Sequence, residues 1–311
     1  MIQDNQRAAP FDDFRVDAQV GDHVHTGSRR FAYYFISLFL GVCVFAVPLK
    51  ALIAMSLDSE YYSFIPFIFI VSSYLVVSDR KKIFDEPARS RGYGVPVLVL
   101  SLAAGIVGRK NTAVLGLNDY LCVTMFSFWL FLIGTFLLFF GKRTFLKASF
   151  PLGLLLFVIP FPELLLDKII DFLQVASYTL TGLIFNALGF FPIAQGFSFK
   201  FPEITIEVAR QCSGIRSCAA LVILSLLCGH LFLRSHLNRI LLPVFAVPIA
   251  IFKNGVRIAC LTLGAIYVDP RIMSGELHKK GGYPVFVLAF LMLMTVVMVM
   301  RKLEKRRRDI P

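Results

Sequence analysis

The feature that most restricts how this chain folds is the recurrence of apolar blocks, each about as long as the ~20 residues a helix needs to cross a hydrocarbon core of roughly 30 Å. In lipid such a block is helical, because an isolated strand leaves its backbone N–H and C=O groups without partners. Blocks at about 31–49, 62–78, 94–108, 119–140, 145–162, 212–233, 240–268 and 283–300 predict an all-α polytopic membrane protein of about eight transmembrane helices. Composition agrees, with 57% of the 311 residues hydrophobic, only 17% charged and a mean hydropathy of +0.73. The seventh block starts near Pro243 and Pro248, where an interfacial or kinked start is expected.

The formal charge of +12 is explained by where it sits. The run from Arg301 to Arg308 follows directly on an apolar block, as Lys and Arg do at the cytoplasmic end of a span, where they also meet anionic lipid. Segments 1–30, 79–94, 141–147, 234–239 and 301–311 together hold 20 of the 32 Lys and Arg residues, which predicts both termini inside. This placement argues against nucleic acid as a partner. The first 28 residues are polar, so no cleavable signal is expected there, and the first span serves as its own insertion signal.

Segment 163–189 is apolar on average but carries Glu163, Asp167, Lys168 and Asp171 near its start. Charge parity predicts an amphipathic or re-entrant helix at the outer surface. Residues 190–211, alternating around Phe197, Phe199, Phe201, Ile204 and Ile206, predict an external stretch of short strands or an extended hairpin. The expected organisation is a cytoplasmic polar tail (1–30), N-terminal membrane helices (31–144), a membrane core (145–300) and a basic cytoplasmic tail (301–311).

Ionisable residues within a span cost about 2.5–3.5 kcal/mol at a helix centre and need a reason to be there. Here they gather in the last third, in Cys212-Ser213-Gly214-Ile215-Arg216-Ser217, in Lys253-Asn254-Gly255-Val256-Arg257, and in Glu276 to Gly282, which contains His278. The expected topology brings all three to one membrane face. Cys212 at the start of a helix, near Arg216 and Arg257, is placed to favour thiolate over thiol. A histidine supplies acid–base chemistry and an arginine stabilises an oxyanion, so the set describes acyl transfer. One tension remains: Arg257 would lie about 16 Å below Val268, deeper than Cys212, unless the helix ends early or tilts.

The strings ARQCSGIRS, NGVRI and His278 with Gly282 four residues on, together with IPFPE at 159–163, resemble the exosortase/archaeosortase family over about 150–300. The resemblance implies a membrane cysteine transpeptidase that cleaves exported proteins bearing a C-terminal tail: a short motif such as Pro-Glu-Pro, a transmembrane helix and a basic cluster. It implies Cys212 as nucleophile, Arg257 as the stabilising arginine and His278 as the acid–base residue, with the active site facing outward from the cytoplasmic membrane. The core 145–300 is then the catalytic region, and an acceptor nucleophile of unstated identity receives the product. Lys253 departs from the small apolar residue expected beside the family's Asn. Ser213, Arg216, Asn254 and Lys253 are supporting candidates.

Other readings compete for the same residues. Cys43, Cys122, Cys228 and Cys260 read as packing residues, and Cys218 lies on a different helical face from Cys212. Arg216 is expected to pair with Glu207 or to reach the surface, and Asn254 to orient Arg257 one turn away. His230 and His236 read as structural or surface residues. His23 and His25 form an HxH in a tail expected to lack regular structure, and neither metal nor cofactor is expected. An anion or lipid transporter or scaffold using Lys253 and Arg257 is the alternative function, and a thiol-redox enzyme using Cys212 and Cys218 is a third.

Overall fold

The computed structural model describes residues 13–58, 61–85, 91–112, 114–202, 204–273 and 282–307. The chain divides into two units, Met1–Ile53 with Ile68–Ile159, and Ala54–Phe67 with Pro160–Pro311. Helices α1 (Asp13–Val44), α2 (Ala46–Asp58), α3 (Ile65–Ser78), α4 (Arg80–Ile83), α5 (Gly94–Lys110), α6 (Leu117–Lys147) and α7 (Ser149–Leu154) come first. The polar N-terminal tail, expected to lack regular structure, is helical from Asp13.

In the first unit α5 lies against α6 at a distance only small residues permit. A Cβ at Gly94 would meet Gly134 O at 2.8 Å, and one at Gly134 would meet Leu98 Cγ at 2.8 Å. Further along, Ser101 Oγ donates to Ser127 O and Ser127 Oγ to Ser101 O, both at 2.8 Å. Close backbone approach and reciprocal hydroxyl bonds substitute for the hydrophobic drive that lipid removes.

The second unit holds α8 (Glu163–Ala187), the strands β1 (Ile193–Gln195), β2 (Ser198–Lys200) and β3 (Thr205–Glu207), a 3-10 turn (Arg210–Cys212), α9 (Ile215–Phe232), α10 (His236–Tyr267) and α11 (Gly282–Arg306). The strands form an antiparallel meander in the order β1-β2-β3, as the alternation at 190–211 predicts.

Among the described residues five helices are long and apolar enough to cross a membrane, and a sixth span results if α1 from Arg29 and α2, bent by 71°, count as one. The chain is an all-α membrane protein with fewer spans than the eight expected. Block 62–78 becomes the 14-residue α3, and block 145–162 breaks into α7 and a 3-10 turn, Leu155–Val158. Block 94–108 forms α5, whose 17 residues stand at the lower limit of spanning length. For segment 163–189 the re-entrant alternative is corrected: α8 is one uninterrupted 25-residue helix, and it is long and apolar enough to cross a membrane. Its amphipathic character holds, with Ile170, Leu173, Gln174, Ser177, Thr181 and Phe185 forming a buried stripe at three- and four-residue spacing. Pro162 opens it at φ −52°, the value a proline ring enforces.

Helix α10 begins at His236 and carries Pro243 and Pro248 inside it. Its 32 residues extend about 48 Å, well beyond one hydrocarbon thickness. Its first half belongs to an apolar cluster shared with α9 and α11, where Leu221, Leu242, Ala246, Ala289 and Leu293 are fully buried or nearly so. Its second half belongs to another cluster, in which Ile258 and Ala259 meet Phe185 of α8 and Phe199 of β2. Residues 253–257 lie between the two.

Candidate active site

The local fold around Cys212 is set by Gly214. Its φ of +82° is a left-handed conformation that glycine adopts at no steric cost, and it separates the 3-10 turn from α9. Cys212 therefore ends the turn, two residues before the N-cap of α9, instead of opening the helix as expected. The same glycine admits Asn254: a Cβ at position 214 would stand 2.8 Å from Asn254 Cγ.

Asn254, 1% exposed, donates from Nδ2 to Cys212 O at 2.8 Å and to Ser177 Oγ at 3.0 Å. The expectation that it orients Arg257 gives way to a direct bond to the backbone of the cysteine turn. Lys253, 4% exposed, donates to Ser217 Oγ at 3.0 Å, and Ser217 Oγ donates to Gly214 O at 3.0 Å. A buried ammonium is tolerated only with such partners or a polar cavity to face. Ser213 is buried at the turn and does not line the cavity described below.

Three contacts to α8 complete the support. Gln174 Nε2 donates to Val208 O at 2.7 Å, while Arg210 reaches Asp167 at 2.6 Å and Asp171 at 3.1 Å. Gln174, Ser177 and Arg210 were not singled out from sequence. The regular spacing of Gln174, Ser177 and Thr181 along the amphipathic helix is the signal that points to the first two.

Within this unit a cavity of about 720 Å³ is lined by Cys212, Arg216, Lys253 and Arg257, with Phe64, Phe67 and Phe286 on its apolar walls. Sequence-distant residues thus converge. The depth mismatch between Cys212 and Arg257 disappears, because α10 runs past the start of α9 and Asn254 meets the cysteine turn. Among the described residues Arg216 makes no ion pair with Glu207; it faces the cavity instead. Gly282, at the start of α11, lines the cavity too, and a Cβ there would stand 4.0 Å from Arg257 Nε. His278 lies outside the described residues. The six cysteines are free thiols; Cys218 is buried in the apolar cluster of α9.

The family model for the transmembrane exosortases (Exosortase_EpsH) matches residues 54–295. The chain belongs to the transmembrane exosortase family. The match starts at Ala54, where the chain first enters the second unit, and so reaches well upstream of the 150–300 region that carries the motif resemblance. Exosortase membership fits a multi-pass membrane protein with a sorting-related transpeptidase role. No curated protein and no solved structure matches the chain.

Proposed function

We propose that this exosortase-family chain is a cysteine transpeptidase or endopeptidase that cleaves the C-terminal sorting signal of exported proteins at the outer face of the cytoplasmic membrane. The observation that carries the reading is the convergence of Cys212, Arg216, Lys253 and Arg257 on one cavity. Basic side chains lining the same cavity as a thiol favour attack by the thiolate, the nucleophilic form. Cys212 Sγ attacks the carbonyl carbon of the scissile peptide, Arg257 stabilises the oxyanion, and His278 protonates the departing amine. The resulting thioester is then resolved by an acceptor nucleophile or water. Gly282, four residues after His278 in the chain, stands beside Arg257, which supports the histidine's assignment.

The two ends of the α9–α10–α11 bundle support an orientation. Glu304 near the end of α11 accepts from Arg234 N and Ser235 N, both at 3.0 Å, so the α9–α10 turn and the basic C-terminal run share one end. Cys212 and Gly282 occupy the other. The positive-inside preference then supports a cytoplasmic C-terminus and an outward cavity.

The test is co-expression of a tagged substrate bearing a motif, an apolar helix and a basic cluster. Cys212→Ala is expected to slow its shortening by about 10³-fold or more, read on a gel. Equal processing of a verified substrate by both forms overturns the reading.

A further inference from the structure

At the end of the bundle remote from Cys212, a second cavity of about 600 Å³ lies between the first turns of α10 and the last turns of α11. Both walls change character in the same direction. Along α11 the lining passes from Met300 through Leu303 to Arg307, and along the facing wall from Leu241 through Leu237 to Arg234. Over about 10 Å of helix rise the groove thus goes from fully aliphatic to cationic.

One acid, Glu304, also lines it, but its carboxylate already accepts from Arg234 N, Ser235 N and Asn238 Nδ2, the last at 2.7 Å. Among the described residues neither Arg234 nor Arg307 forms an ion pair. Arg301, Lys302, Lys305 and Arg306 surround the same end and make its potential positive.

We infer that this groove binds one anionic phospholipid, with its phosphate between Arg234 and Arg307 and an acyl chain running towards Leu241 and Met300. A small soluble anion would leave the aliphatic half unused. A zwitterionic lipid would bring its own ammonium against two guanidinium groups. Two side-chain cations at the polar end of the groove suit the single negative charge of a phosphodiester. The inference is independent of what Cys212 does.

Native mass spectrometry of the purified full-length protein, offered phosphatidylglycerol and phosphatidylcholine at equal concentration, tests it. Phosphatidylglycerol is expected to be retained in preference, by about fivefold for each arginine, and less so as salt is raised. Arg234→Gln with Arg307→Gln is expected to abolish the preference. Arg234→Lys with Arg307→Lys restores most of it, which separates loss of charge from loss of fold. Equal retention of the two lipids, a preference unchanged in the Gln pair, or failure of the Lys pair to restore it overturns the proposal. Displacement of the lipid by inorganic phosphate alone also overturns it, since that assigns the site to a soluble anion.

Discussion

The two halves of α10 are one continuous helix with two different tasks. Up to Ala250 its buried residues are Leu242, Ala246, Ile249 and Ala250, all apolar, set against α9 and α11. From Lys253 onward it buries Lys253, Asn254 and Gly255 before apolar contact resumes at Ile258 and Ala259 against α8 and the sheet. The polar residues lie where one apolar cluster ends and the next begins. A seam between two separately stabilised clusters holds buried polar groups in fixed geometry, because each cluster anchors the backbone on its own side.

The sharpest way to break this division is to open a cavity in either cluster. Phe185 is fully buried in the second, and Phe185→Ala is expected to cost about 3–5 kcal/mol, read as a lowered thermal midpoint in detergent. Leu242→Ala in the first cluster costs a comparable amount. The two differ in consequence: residue-resolved alkylation of Cys212 by iodoacetamide changes in Phe185→Ala and stays near wild type in Leu242→Ala. Identical alkylation in both variants means the halves act as one block.

A smaller effect is expected within the seam. Asn254→Leu removes the donor to Cys212 O and Ser177 Oγ and leaves a half-buried carbonyl and a buried hydroxyl without it, a cost of about 1–3 kcal/mol. Cys212 alkylation changes along with stability. A stable variant with unchanged alkylation shows that Asn254 does not hold the turn.

The smallest effect belongs to the clamp on α8. Arg210 and its partners Asp167 and Asp171 are about half exposed, so Arg210→Gln costs at most about 1 kcal/mol. Urea titration checks this, and a larger loss would mean that the clamp is shielded from solvent by lipid or substrate.

Much of the second unit was legible in advance. Block 212–233 corresponds to α9 and block 283–300 to α11, since long apolar runs bounded by charge have one solution in lipid. The strands near Phe199 and Ile206 followed from strict alternation. The eight-span count fails because hydropathy does not distinguish a full crossing from a shorter apolar helix such as α3 or from a broken segment such as Ser149–Val158. The sequence marks Asn254 as a supporting residue and pairs it with Arg257, its neighbour on the helix, whereas its partners Cys212 O and Ser177 Oγ lie 42 and 77 positions away.

By itself the sequence determined that the chain is a helical membrane protein, that costly polar residues gather in three clusters of its last third, and that Cys212, Lys253 and Arg257 are among them. Each follows from the price of burying backbone and charge in lipid, a property of residue type and local order. Only the tertiary structure decided that α10 outruns α9 and joins two apolar clusters, that Asn254 and Ser177 hold the cysteine turn, and that α8 supplies the acids for Arg210. Those depend on which faces meet. Lipid-facing and protein-facing surfaces are alike apolar, so the pattern along the chain marks what is buried from water without naming what it is buried against.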